Sequence, residues 1–245
     1  QGVKEFQIIA QELTYYGVDL YKSQKLPELI EKIAQVPGVE WIRLHYAYPT
    51  HFPEDLFRVM RENDNVCKYM DIALQHISDN MLTRMRRNVS KSETYDLIEK
   101  FRQEVPGIHL RTTLMVGFPG ETEADHQDSV RLISEAGFYK VHAFTYSKRP
   151  GTKAAEMKGH LAPQLKKRRT QELIEAGEAE ATRFAQRCVG QRRVVLFEER
   201  DNTGLWRGHA DNFLQVYVDS PEDLEGKLIP VTLTEVYRDG VKGTL

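Results

Sequence analysis

The feature that most constrains this chain is an alternation, between residues 5 and 147, of short apolar runs with amphipathic helical stretches. The runs are "FQIIAQ" (6–11), "VEWIRLHY" (39–46), "YMDIALQH" (69–76), "IHLRTTLMVGF" (108–118) and "YKVHAFTYS" (139–147). Between them lie "KLPELIEKIAQV", "PEDLFRVMREN", "KSETYDLIEKFRQEV" and "ETEADHQDSVRLISEAG". Pro53 sits in the first turn of the second helical stretch, and Ser92 before Glu93 opens the third. Thr122 with Asp125 forms a capping-box start for the fourth, which Gly137 stops. The spacing of the runs is that of repeated βα units, hence a parallel sheet. Five units in a row without a GxGxxG fingerprint favour a barrel over an open sheet.

The character changes after residue 150. "APQLKKRRTQELIEAGEAEATRFAQRCVG" is a long polar helix, basic at its start and acidic later, and reads as a solvated connecting helix. Then come "RRVVLFEE", "LWRGHADN", "LQVYVDS", "GKLIPVTLTEVYRD" and "VKGTL", separated by Asn-Thr-Gly, Ser-Pro and Asp-Gly turns. That pattern predicts a small antiparallel barrel or sandwich. The expected division is a βα portion with its connecting helix over 1–184 and a β domain over 185–245.

Bulk properties exclude several classes. The net charge is −2, so no global electrostatic case for nucleic-acid binding exists. The two cysteines, Cys67 and Cys188, have no CxxC or Cys/His spacing. This argues against a disulfide scaffold and a zinc site, and for a reducing cytoplasm. No apolar run approaches the roughly 20 residues of a membrane span, and no signal peptide opens the sequence. "QGVKEFQIIAQE" enters a strand almost at once, so the chain is expected to be a fragment beginning inside a domain.

In a βα barrel, function collects at the C-terminal strand ends. Those ends carry Gln11 and Glu12, His45 and Tyr46, Gln75 and His76, Gly117 to Glu121, and Tyr146 and Ser147. Strands ordinarily exit into polar loops, but a Gln closing a strand twice over stands out, because an amide holds a hydroxyl or amide edge without charge. "LTRMRRNVS" (82–90) places three arginines in four positions, either a solvated helix end or a clamp for a carboxylate or phosphate. His45, His76, His109 and His142 lack HxH or HxxxH spacing and do not read as metal ligands. Cys67, just before a strand, and Cys188, before a "VG" turn, read as packing residues. "LRTTLMVGFPGET" (110–122) runs a buried strand into a Gly-Phe-Pro-Gly turn, where two glycines imply close approach of the backbone to a neighbour or ligand.

"TTLMVGFPGET", "YMDIALQHIS…LTRMRR", "IAQELTYYGVDLY" and "WIRLHYAYPTHFP", in this order, resemble the methylthiotransferases of the radical S-adenosylmethionine (SAM) superfamily. The resemblance covers nearly the whole chain. It implies an incomplete (β/α) TIM-type barrel of the radical SAM kind followed by a small antiparallel β-barrel (TRAM) domain. Two branches exist, one modifying tRNA adenosine and one methylthiolating an aspartate of small-subunit ribosomal protein twelve. "RLHYAYP" and "LQHIS" resemble the ribosomal-protein branch, where the tRNA branch carries "TSHP" and "QSGS". A non-catalytic βα scaffold with a binding β domain is the reading from another class.

The resemblance further implies cofactor contacts. S-adenosylmethionine falls against Val116 and Gly117, its ribose against Gln75, and its methionine carboxylate against Arg87. Thr113 stands where many relatives have a ribose-binding Asp, and Gln11 closes the first strand beside this rim. The family holds its catalytic 4Fe-4S cluster with CxxxCxxC and a second cluster with three more cysteines. Two isolated cysteines can ligate neither. The chain is therefore expected to start at the second barrel strand, to hold no cluster and to be inactive alone. The implied partner is the ribosomal protein, with tRNA less favoured.

Overall fold

The computed structural model describes residues 2–245. Its first part runs β1 (Glu5–Ile9), α1 (Val18–Tyr21), α2 (Leu26–Ala34), β2 (Trp41–Ala47), α3 (Asp55–Glu62), β3 (Val66–Gln75), α4 (Asp79–Arg84), α5 (Lys91–Glu104), β4 (His109–Val116), α6 (Glu123–Ala136) and β5 (Lys140–Thr145). The five strands pair in parallel in the order β1-β2-β3-β4-β5. Each strand thus lies beside its predecessor, the winding of an incomplete βα barrel, as the alternation predicts.

The strand pleat sorts side chains between two faces. Along β4, Leu110, Thr112, Leu114 and Val116 are buried while the alternate residues are half-buried. Leu110, Leu114 and Val116 join Leu44, Met70 and Ile72 in a core with Leu26, Ile30, Phe57, Phe101 and Leu132 from the helices. The other face of the sheet carries Arg43, His45, Asp71, Arg111 and Thr113. Phe52, Phe57 and Phe101 meet with ring centroids 4.8–5.1 Å apart.

The capping box of α6 forms as predicted, Thr122 accepting from the Asp125 N–H and Asp125 reaching back to Thr122, and Gly137 ends the helix at φ 62°. The third helical stretch starts differently. Its cap is Ser90, not Ser92, because only Ser90 stands three residues before Glu93 and can complete the reciprocal pair. Cys67 likewise lies inside β3 and not before it.

After α7 (Lys153–Glu156), helix α8 (Pro163–Cys188) is no solvated connector. Arg169, Leu173, Gly177, Glu180, Phe184 and Cys188 form a buried stripe at helical spacing, packed against β5 and α6. Gly177 lets the helix close on β5: a Cβ there would stand 3.1 Å from Val141 Cβ. The charge of this segment concealed its buried face.

β6 (Arg192–Arg200), β7 (Trp206–Ala210), β8 (Gln215–Val218), β9 (Leu228–Tyr237) and β10 (Gly240–Thr244) close a barrel in the order β10-β8-β7-β6-β9. It is not wholly antiparallel, because β10 runs parallel to β8. Val195, Phe197, Trp206, Val216 and Val231 share one core with Trp41, Cys67, Tyr69 and Tyr139. Those four belong to the N-terminal ends of β2, β3 and β5. The small barrel therefore packs beneath the sheet and leaves the C-terminal strand ends free.

A buried ion pair fastens this junction. Arg43, 0% exposed, donates to Glu5 Oε1 at 2.9 Å and Oε2 at 3.0 Å, and to the Asp211 carbonyl at 2.8 Å. His209 Nε2 lies 2.9 Å from Glu5 Oε2. Burial pushes the Glu5 carboxyl up, but hydrogen bonds from His209 and Arg43 outweigh it and bring the pKa down to about 2.

Candidate functional site

Three neighbouring strand ends share an unusual backbone. Tyr46 (φ 62°), Gln75 (φ 68°) and Gly117 (φ 79°) are all left-handed, at or just past the ends of β2, β3 and β4. A non-glycine residue in that region is strained by roughly 1–2 kcal/mol, and such strain concentrates at functional sites. Gln75 is half-buried there, which fits an amide offered to a ligand from a fixed backbone.

The arginine cluster splits on folding. Arg84 and Arg86 are exposed, with Arg84 lying against Gly120. Arg87 folds back to the rim: it donates to the Ala73 carbonyl, two residues before Gln75, and its guanidinium lies 4.1 Å from the Tyr48 ring centroid. Burial pulls its pKa down, opposed by Tyr48 and Glu12, and its Nε is buried without a partner. Gln75 and Arg87 are thus both anchored at the end of β3, Arg87 through the Ala73 carbonyl, with Tyr48 and Glu12 near Arg87.

The other expected positions differ. The Val116 side chain belongs to the core on the helical side, and its carbonyl accepts from Tyr146 N–H at 2.7 Å, so it has no side chain to offer at the rim. Gly117 does meet a close neighbour, but that neighbour is Lys166 of α8: a Cβ at Gly117 would lie 2.4 Å from Lys166 Cδ. The close neighbour that the glycine accommodates within this chain is therefore Lys166. Lys166 Nζ goes on to the Tyr146 carbonyl at 3.1 Å. Thr113 is half-buried opposite His142, about 10 Å down β4 from Val116 at ~3.3 Å per residue. Gln11 is exposed in the bend after β1, and it is Glu12 whose charge reaches Arg87.

Sequence reasoning missed what holds the loop after β4. Glu121 accepts from the Gly117 N–H, Arg169 donates to the Glu121 carbonyl at 3.1 Å, and His76 and His126 flank the Glu121 carboxylate. Phe118 and Tyr146 stack edge to face at 5.3 Å beside Met81. Only the acid directly after the Gly-Phe-Pro-Gly turn signalled any of this.

The model of the radical SAM superfamily matches residues 1–133, more than half of the chain. The chain belongs to the radical SAM superfamily. Among similar members of it, the chain is 64% identical over 202 residues to the ribosomal protein uS12 methylthiotransferase RimO of Phocaeicola vulgatus, a match covering 82% of this chain and 47% of that protein. The enzyme of the same name from Bacteroides fragilis is 57% identical over 252 residues, covering 93% of this chain and 58% of its own length. This radical SAM chain thus spans about half the length of the curated relatives it matches. Among solved structures, coproporphyrinogen III oxidase (HemN) of Escherichia coli, described as a radical SAM enzyme, shares the fold with a TM-score of 0.51 at 14% identity, over 78% of this chain and 50% of that one.

The residues fit the superfamily's two cofactors unequally. The Arg87 guanidinium, with an unpartnered Nε near the end of β3, suits a carboxylate-bearing ligand such as S-adenosylmethionine. An iron–sulfur cluster finds no such fit. Cys67 and Cys188 are both buried, burial pushes Cys67 up to about 12, and among the described residues no group of three or more His, Cys, Asp or Glu is placed to hold a metal. No helix of the described residues is long and apolar enough to cross a membrane.

Proposed function

We propose that this chain is the cofactor-binding and substrate-docking portion of a radical SAM methylthiotransferase that modifies an aspartate of a small-subunit ribosomal protein. The observation that carries the reading is that Arg87 folds back onto the Ala73 carbonyl, two residues before Gln75, at the C-terminal end of β3, where the backbone is held left-handed at Gln75. Arg87 binds the methionine carboxylate and Gln75 the ribose, with Gly117 passing alongside, whereas Thr113 and Gln11 are assigned to the cofactor by the resemblance alone. S-adenosylmethionine supplies a carbon radical when bound against a reduced 4Fe-4S cluster. This chain orients the cofactor and excludes water, and offers no cysteine set for either cluster of the family.

The division of labour runs between residues 1–184, carrying the rim, and 185–245, the small barrel. A module gripping tRNA has to neutralise several phosphates. Residues 183–245 hold nine Lys and Arg against ten Asp and Glu, a net of −1, which suits a basic protein substrate better.

The test uses the complete gene product, reconstituted anaerobically with iron and sulfide. Gln75→Ala and Arg87→Ala each remove about 1.5–3 kcal/mol of binding, so S-adenosylmethionine affinity drops on the order of 10- to 150-fold without unfolding. Wild-type affinity in both variants refutes the assigned roles. Mass spectrometry then locates the methylthio group: on the ribosomal protein, as proposed, or on tRNA nucleosides, which moves the assignment to the other branch. A product on neither, with intact cofactor binding, leaves the scaffold reading in its place.

A further inference from the structure

Behind the rim, three buried polar atoms converge without partners: His76 Nε2, His126 Nδ1 and Glu121 Oε1. His76 Nε2 lies 3.7 Å and His126 Nδ1 4.0 Å from Glu121 Oε1, and all three side chains are at most 1% exposed. These separations are too long for direct hydrogen bonds. They suit one small guest about 2.8 Å from each atom.

The remaining contacts decide what the guest is. His76 Nδ1 accepts from the backbone N–H groups of Ile77 at 2.9 Å and Ser78 at 3.0 Å, so its proton sits on Nε2, aimed at the gap. His126 Nε2 lies 2.7 Å from Glu172 Oε2 and donates to it in the tautomer that leaves Nδ1 free to accept. Glu121 Oε2 already takes the Gly117 N–H and lies 3.5 Å from Arg169, so Oε1 is free to accept. The gap therefore presents one donor and two acceptors. A water molecule matches that set, accepting from His76 and donating to His126 and Glu121. A metal ion does not, because His76 would have to give up the Nε2 proton while Nδ1 stays committed to two backbone donors.

We propose that a single enclosed water occupies this gap and acts as a positioning element, tying the ends of β3 and β4 to α6 and α8. Each partner belongs to a different segment. His76 follows Gln75 directly, Glu121 holds the Gly117 amide, His126 lies on α6, and Arg169 and Glu172 lie on α8. Without the guest, three buried polar groups lack a partner, a penalty the fold avoids by retaining it. The water site stands on this geometry alone. Its consequence for cofactor binding rests on the function proposed above.

The test is made on the 245-residue chain without any cofactor, so it is independent of that function. In ¹⁵N-histidine NMR, His76 and His126 are both neutral Nε2–H tautomers, and His76 Hε2 shows a cross-peak to a long-lived water. A His76 Nδ1–H tautomer, a doubly protonated His126, or stoichiometric zinc uptake at the pair overturns the proposal. Amide exchange at Gly117 gives the second readout. His126→Leu removes the acceptor and speeds exchange about tenfold or more, the effect of one or two lost hydrogen bonds, with the β6–β10 amides unchanged. His126→Asn keeps an acceptor oxygen near the Nδ1 position and retains slow exchange. Equal Gly117 exchange in the two variants refutes the bridging role.

Discussion

Replacing Glu5 by Gln tests how the small barrel is held beneath the sheet. The exchange keeps the shape of the side chain and removes its charge, leaving the Arg43 guanidinium fully buried against carbonyls and aromatic rings at 4.5–5.8 Å. Two routes give the magnitude. Glu5 sits about 2.5 pKa units below its ordinary 4.5, equivalent to about 3 kcal/mol at ~1.36 kcal/mol per unit. Breaking a buried pair by neutralising one partner costs about 3–5 kcal/mol. Urea unfolding followed by circular dichroism at pH 7 then shows a loss of about 3 kcal/mol. The double variant Glu5→Gln/Arg43→Met recovers at least about 1 kcal/mol, because it removes the stranded charge at similar volume. A Glu5→Gln loss below about 1 kcal/mol, or a double variant as unstable as the two single losses added together, refutes the argument. The pH dependence has opposite signs for the two acid–base partners. The Glu5 contribution is present above pH 4.5 and is lost as pH falls toward about 2. His209 is raised above 6.5: burial pulls it down, but hydrogen bonds to Glu198 and Glu5 prevail. Its contribution is full below 6.5 and fades as pH rises through the folded value.

At Gly117, Ala meets both a left-handed backbone and the Lys166 stem, so Gly117→Ala destabilises by about 1–2 kcal/mol in urea titration, and adding Lys166→Ala returns the steric part. At Gln75 the same backbone makes Gly the better small replacement: Gln75→Gly is more stable than Gln75→Ala by about 1 kcal/mol, and equal stabilities argue against strain there. Phe101→Ala empties a fully buried site among Phe52 and Phe57 and lowers stability by about 3–5 kcal/mol, measured as a shift in urea midpoint.

Where local chemistry decided the structure, the sequence could be read. The five strands follow from apolar runs, and the α6 start follows from Thr122 and Asp125 because a capping box is closed within four residues. The same rule applied to Ser90 and Glu93 would have found the α5 cap, where Ser92 was a nearer but geometrically wrong choice. The buried face of α8 was hidden because it includes Arg169 and Glu180, whose partners Glu121, Arg183 and Arg187 make burial tolerable for charges that hydropathy counts as exposed. Gln75 could be placed at a strand end from the pattern, whereas choosing Arg87 over Arg84 and Arg86 needed the family resemblance. Its fold back to Ala73 depends on the left-handed turn at Arg86, which no propensity announces. The His76, Glu121 and His126 convergence joins residues up to 50 positions apart, and no short-range signal encodes it.

Helix α8 connects the two ends of the molecule, and its residues show how. Near its start, Lys166 fills the space beside Gly117 and Arg169 holds Glu121, so this turn braces the loop after β4. Near its end, Phe184, Ala185 and Cys188 enter the core shared by the small barrel and the feet of β2, β3 and β5. The 26 residues of the helix span about 39 Å at ~1.5 Å per residue, enough to run the full height of the sheet. Packing against β5 along this length, with Gly177 at the closest approach, keeps the helix from pivoting. The rim and the small barrel are thus joined twice, through the strands themselves and through one continuous helix clamped between them. A displacement of the small barrel is therefore transmitted along the helix to Lys166 and Arg169, and so to the loop after β4.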